Sequence, residues 1–127
     1  MKKNNNTIII AILILALFVA LGVWSARIKN KPGDLDTFAM CLGDSGATFY
    51  GAFWCPHCNN QKAMFGNSAK LLPYVECSTE DGKGQTQVCT DAGITGYPTW
   101  EFADTSRLTG EIELSELADK TGCELPQ

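Results

Sequence analysis

Positive charge is scarce in this chain once its first quarter is past. From Pro32 onward only Lys62, Lys70, Lys83, Arg107 and Lys120 stand against all fourteen acidic residues, a net charge of −9. Such a surface repels phosphate backbones, which excludes nucleic acid as a partner, and it discourages close contact with anionic lipid. A second absence is sharper: between Asn4 and Ala26 there is no charged residue at all. There are no internal repeats or low-complexity tracts, which leaves solenoids and disordered arrays aside. Histidine occurs once, as His57.

The uncharged block is nearly all aliphatic from Thr7 to Trp24. Roughly eighteen such residues cross a hydrocarbon core of about 30 Å. The run exceeds an ordinary signal-peptide core, and Trp24 suits a membrane interface, so the expectation is a retained N-terminal anchor over 1–26. The alternative is a cleaved signal peptide, with weak sites at Ala20-Leu21-Gly22 or Val23-Trp24-Ser25. A buried core helix is excluded by size, since the rest of the chain cannot surround it. Lys2 and Lys3 favour a cytoplasmic N-terminus, but Arg27, Lys29 and Lys31 pull the other way, so the positive-inside rule decides nothing.

A linker over 27–33 ends in Lys31-Pro32-Gly33, leaving 34–127 for one small domain. A domain of this size is marginal on burial alone and gains from cross-links. All six cysteines lie within it: Cys41, Cys55, Cys58, Cys77, Cys89 and Cys123. An even number in a small domain reads as a disulfide framework, hence an extracytoplasmic location on the cell membrane with a single pass. Fifteen pairings are formally open. With Cys55 and Cys58 set apart on chemical grounds, Cys77 and Cys89 flank a Gly-rich loop (Asp81-Gly82-Lys83-Gly84) that they could staple. Cys41 and Cys123 then remain by elimination. Four free buried thiols are the alternative.

Local patterns give an element order. Leu35, Phe38, Ala39 and Leu42 recur at helical spacing, with Asp34 as N-cap and Gly43 near the end. Ala47 to Phe53 reads as a buried central strand, followed by a helix from the cysteine pair to about Phe65, with a kink or stop at Gly66-Asn67. Tyr74 to Cys77 is a second strand, and Gln85 to Ala92 a short helix ended by Gly93. Thr99 to Phe102 pairs with Arg107 to Ile112 as a hairpin. A last amphipathic helix carries Leu114, Leu117, Ala118 and Thr121 and stops at Gly122. Helices alternating with strands and then a hairpin predict a three-layer α/β sandwich with a small mixed sheet.

The chemistry lies in Trp54-Cys55-Pro56-His57-Cys58. A thiol attacks a disulfide only as the thiolate, and the first turn of a helix, with its unpaired N–H groups and dipole, favours that form at Cys55. Pro56 is tolerated there because its missing N–H has no role in the first turn. Cys58 lies one turn on, on the same face, as the resolving thiol, and Trp54 shields the pair. His57 is expected to offer a hydrogen bond or positive charge to the Cys55 thiolate, which stabilises the reduced form and makes the disulfide a stronger oxidant; the bland alternative is a polar surface residue. Potentials of such proteins differ by about 150 mV, roughly 7 kcal/mol. Tyr97-Pro98 before a strand is a candidate cis bond whose backbone would meet an extended substrate, or else an ordinary turn. Zinc needs two further ligands, typically a second close pair. Eleven residues stand between Cys77 and Cys89 and His57 sits inside the first motif, so no metal site is expected. No cofactor is expected beyond the redox-active Cys55–Cys58 pair.

These residues resemble the thioredoxin superfamily. Cys55-Pro56-His57-Cys58 is similar to the core of bacterial periplasmic disulfide oxidases, and Gly96-Tyr97-Pro98-Thr99 to the cis-proline loop of protein disulfide isomerase domains. A narrower resemblance is to the thioredoxin-like domain fused to, or partnered with, bacterial vitamin K epoxide reductase homologues. It runs through Tyr50 to Cys58, Gln61-Lys62, Phe65-Gly66, Pro73 to Cys77, Cys89 and Tyr97 to Trp100, covering about Leu35 to Gly122. The resemblance implies Cys55 as nucleophile, Cys58 as resolving thiol, Pro98 as cis-proline and a structural Cys77–Cys89 disulfide. It implies a disulfide donor to exported proteins, their thiols as substrates, and a quinone-linked membrane oxidoreductase as electron acceptor. Two departures stand out. The reductase helices are absent from this sequence, and the buried acid that many thioredoxins carry six residues before the nucleophile is here Phe49. A disulfide reductase or isomerase, or a non-catalytic anchored binding module, are the competing readings.

Overall fold

The computed structural model describes residues 5–29 and 31–126; Lys2 and Lys3, which entered the reading of orientation, lie outside the described residues. The chain divides into two compact units, residues 1–31 and 32–127. The first holds helix α1 (Asn5–Lys29), whose side chains from Asn6 to Arg27 are all exposed. That stretch of 22 residues is apolar on every side rather than along one stripe, and it is long enough to cross a membrane, about 33 Å at 1.5 Å per residue. A retained anchor and a signal sequence share this property.

In the second unit the order is α2 (Asp36–Asp44), β1 (Thr48–Gly51), α3 (Pro56–Met64), a 3₁₀ helix η1 (Gly66–Leu71), β2 (Tyr74–Glu76), α4 (Gln87–Asp91), β3 (Thr99–Glu101), β4 (Arg107–Thr109) and α5 (Leu114–Thr121). The strands form one mixed sheet in the order β2-β1-β3-β4, with β1 parallel to β2 and antiparallel to β3. Period-two alternation sends neighbouring residues to opposite faces. Phe49 and Trp100, paired in register and stacked at 4.8 Å, enter a large core with Phe38 and Leu42 of α2, Phe65, and Leu117 of α5. Tyr50 points the other way, to a small core with Cys77, Cys89 and Ile94 beneath α4. Helices thus cover both faces of the sheet. This is a three-layer α/β fold, a thioredoxin-like domain.

Two disulfides cross-link it: Cys41–Cys123, joining α2 to the segment after α5 across 82 residues, and Cys77–Cys89, joining the end of β2 to α4 across 12. Cys55 and Cys58 are free.

Several boundaries differ from the sequence reading, each for a local reason. Asp34 does not cap α2. Leu35 occupies the cap position and its N–H donates to Ser68 Oγ, while Asp36 turns back to accept from Gly33 N–H. The central strand ends at Gly51 because Ala52 to Cys55 form the turn into α3, closed by Cys55 N–H on Ala52 O at 3.0 Å. The hairpin's second arm stops at Thr109. Gly110 turns the chain at φ 101°, and both backbone groups of Ile112 go to the Gln61 side chain rather than to a strand. The last helix, by contrast, matches the sequence reading: it spans Leu114–Thr121 and ends in a left-handed Gly122, φ 73°.

Candidate active site

The turn after β1 delivers Cys55 to the N-cap of α3 with extended backbone angles, φ −76° and ψ 118°. Pro56 follows at the first helical position. The Cys55 sulfur then does what a serine oxygen does at an ordinary helix start: it accepts the Cys58 N–H, at 3.4 Å. The dipole of α3 and one of its orphan donors are therefore aimed at this one sulfur. Cys55 keeps only a sliver of surface, 5%, and Cys58 has none. Burial pushes the Cys58 thiol up to about 12, its hydrogen bond with Cys55 adds to this, and the Ala52 backbone and Lys62 oppose it. The two cysteines are thus unequal, one at the helix tip with a sliver of surface and one behind it with none.

The Tyr97–Pro98 peptide is cis, and it turns the Tyr97 carbonyl toward Cys55, whose thiol donates to it at 3.8 Å. Trp54 stacks edge-on against Tyr97 and anchors its indole N–H on Ser78 Oγ, leaving about half of its surface exposed beside the pair. The structure therefore brings Trp54, Cys55, Cys58, Tyr97 and Pro98 together.

His57 behaves differently from expectation. Its Nδ1 lies 2.6 Å from Glu111 Oε1, whereas the partners of the Cys55 sulfur among the described residues are Cys58 N–H and the Tyr97 carbonyl. A carboxylate is a stronger acceptor for an imidazole N–H than a thiol is, and Glu111 stands within reach.

Four residues of this neighbourhood carry no warning in the sequence reading as site residues. Glu111 is one. Gln61, fully buried, donates to Ile112 O and accepts from Ile112 N–H, fixing the 110–112 segment to α3. Gly51 keeps a gap open: a Cβ there would stand 3.0 Å from Cys58 Sγ and 2.8 Å from Tyr74 Cε2. The Tyr74 ring borders that gap, and its hydroxyl donates at 2.8 Å to Glu76, which also accepts from the Phe53 and Ser78 N–H groups. Burial and the Glu76 carboxylate both push the Tyr74 phenol up, and Lys62 Nζ sits 3.3 Å over its ring. A period-two strand pattern could have put Tyr74 and Glu76 on one face, but could not have put the Tyr74 ring and Cys58 on either side of Gly51.

A thioredoxin-like domain with a free C-x-x-C pair at a helix start, facing a cis-proline, is the class that fold and geometry define. No protein-family model matches the chain. It is similar to "Thiol-disulfide oxidoreductase LTO1" of Arabidopsis thaliana, 40% identical over 141 aligned residues that take in 94% of this chain and 37% of the relative. It is also similar to "Protein disulfide-isomerase erp38" of Neurospora crassa, 24% identical over 98 residues, 74% of this chain and 27% of the relative. The chain spans little more than a third of the length of the first and about a quarter of the second.

Proposed function

We propose that the protein is a membrane-anchored thiol–disulfide oxidoreductase that donates disulfides to exported proteins, with Cys55 as nucleophile and Cys58 as resolving thiol. The observation that carries this reading is the Cys58 N–H on the Cys55 sulfur at the N-cap of α3, beside a fully buried second thiol. The relation to LTO1 supports the same chemistry.

In the donor direction a client thiolate attacks Cys55 Sγ of the Cys55–Cys58 disulfide. The S–S bond breaks, and Cys58 leaves as thiolate and takes up a proton. A second client thiolate then attacks the client sulfur of the mixed disulfide, forming the client's own disulfide and releasing Cys55. Two electrons now rest on the pair and pass to a quinone-linked membrane oxidoreductase of the vitamin K epoxide reductase kind. In this reading the Tyr74–Glu76 pair, reached across the Gly51 gap, exchanges the proton at Cys58, in place of the acid that Phe49 replaces. The extended backbone of the client lies along Tyr97 and Pro98.

An extracytoplasmic setting is supported by Cys41–Cys123 and Cys77–Cys89, since such bonds persist where thiols are oxidised. Helix α1 serves as a retained single-pass anchor and residues 34–127 as the catalytic domain. Trapping with Cys58→Ala tests the proposal. Mixed disulfides through Cys55 should accumulate with exported proteins and with a polytopic membrane protein; recovery of cytosolic partners alone overturns the location, and no adducts at all overturn the activity.

One observation favours a second reading, reductase or isomerase. His57 is turned to Glu111, which withholds from Cys55 the group expected to make the pair strongly oxidising. The reduction potential separates the two: near about −270 mV for a reductase of the thioredoxin kind, nearer about −120 mV for a dedicated donor.

A further inference from the structure

Glu111 has two donors on one oxygen. His57 Nδ1 is 2.6 Å from Oε1 and Asn60 Nδ2 donates to the same atom at 3.0 Å. The two donors sit three residues apart on α3, one turn of the same face. Exposed ion pairs are ordinarily of little consequence, because two long side chains must be held in one geometry. This one differs in what holds it. The residue before Glu111 donates its N–H to the carbonyl of cis-Pro98 at 2.9 Å, and the residue after it is fixed by both arms of the buried Gln61, at 2.7 and 3.0 Å. The carboxylate is therefore delivered to the first turn of α3 by a backbone clamped on both sides, to the cis-proline loop and to the catalytic helix itself.

The consequence falls on Cys55. With Nδ1 committed to Glu111, that nitrogen is withheld from the sulfur, and any positive charge on the ring is answered by a carboxylate one hydrogen bond away. The thiolate keeps the helix terminus as its stabiliser and loses the imidazole. The hydrogen bonds from His57 and Asn60 also hold the Glu111 carboxyl below the usual range, so the carboxylate stays charged into mild acid. We propose that Glu111 is a positioning residue that holds His57 off the Cys55 sulfur and makes the Cys55–Cys58 disulfide a weaker oxidant than its C-P-H-C sequence implies. This rests on the reading of Cys55 and Cys58 as the redox pair.

The test equilibrates the full chain, in detergent, with glutathione redox buffers at pH 7 and reads the dithiol fraction by alkylation and mass. One protein disulfide and two glutathione thiols exchange for a protein dithiol and one glutathione disulfide, so electrons and protons balance. Glu111→Ala, which removes the acceptor that holds His57, should raise the equilibrium constant for this reduction about tenfold, equivalent to about 30 mV. The same substitution in a His57→Ala background should change it less than threefold. A change of less than twofold in the wild-type background, a change of opposite sign, or an equal change in both backgrounds overturns the proposal. The equal change would make Glu111 a plain charge acting without His57. Nitrogen-15 spectra of the unaltered protein supply a readout independent of any variant: the neutral ring should carry its proton on Nδ1. A ring with its proton on Nε2 overturns the proposal even if Glu111→Ala fails to fold. A pair that does not exchange with glutathione at all sinks the redox reading instead, so the two failures are distinguishable.

Discussion

The two faces of the sheet are built differently. One holds a dense aromatic core, in which Phe49, Trp100, Phe38 and Phe65 are all at or below 2% exposure. The other holds four buried residues, and two of these, Cys77 and Cys89, are a disulfide. On the dense face the disulfide Cys41–Cys123 ties the ends of the unit over a core that is already complete. On the thin face the disulfide is half of the core. Cys58 belongs to the dense face, while Tyr97 packs against both, and Gln85 holds both the Tyr97 hydroxyl and the Ile94 carbonyl of the thin one. Rigidity behind Cys55 comes from burial; rigidity on the other face comes from a covalent bond.

The most damaging way to break this comparison is to remove the two disulfides separately. In the chain-entropy model the 82-residue loop of Cys41–Cys123 is worth on the order of 4–5 kcal/mol and the 12-residue loop of Cys77–Cys89 about 3 kcal/mol. Serine pairs at these positions should therefore differ in global stability in that order by denaturant titration. Local behaviour should run the other way. Hydrogen exchange of α4 and of the Tyr97 loop should speed up strongly in Cys77→Ser/Cys89→Ser and remain slow in Cys41→Ser/Cys123→Ser. Equal protection of α4 in both would mean that the thin face is held by its packing after all.

A step down in size is Gly51→Ala, which probes the dense face where it meets the site. The new methyl would stand 2.8 Å from Tyr74 Cε2 and 3.0 Å from Cys58 Sγ, closer than packed atoms approach. Overpacking of this kind costs about 1–3 kcal/mol. The expected outcome is a loss in that range with a slower release of Cys55 mixed disulfides, because the space between Cys58 and the Tyr74–Glu76 pair is filled. Unchanged stability would show that β1 can shift without cost.

Much of this fold was legible because its signals are local. The last helix spans Leu114 to Thr121 with Gly122 behind it, since an apolar face and a left-handed stop are both written within nine residues. The strand pattern runs too long: Ala47 to Phe53 is mostly apolar, and apolarity does not say where a buried chain turns from the sheet into the loop before Cys55. The cysteine pair and Tyr97-Pro98 were legible as motifs. The partners of His57 and Cys58 were not. Glu111 meets His57 across 54 positions and Gln61 meets Ile112 across 51, through loop residues with no period to betray a facing. Asp34 looked like a cap because sequence spacing cannot tell which of two nearby acids the backbone will turn inward; here Asp36 is used.

The smallest expected effect isolates Cys58 itself. Its thiol is raised from 9.0 to about 12, chiefly by burial. A raised value means that the folded reduced protein keeps a proton the unfolded chain gives up near pH 9. The stability this contributes is complete below about pH 9 and is lost as pH climbs toward 12. Cys77 and Cys89, locked in a disulfide on the thin face, have no proton to lose. The reduced protein should therefore soften on the alkaline side more steeply than the oxidised one, in which Cys58 no longer titrates, and more steeply than a reduced Cys58→Ser variant. Tyr74 is pushed in the same direction in all three, chiefly by burial and by Glu76, and those two causes are common to all three proteins. Melting temperatures taken between pH 8 and pH 11 for the three proteins decide it: parallel curves would mean that Cys58 is not buried as the dense face requires, and with that the contrast between the two sulfurs would fall.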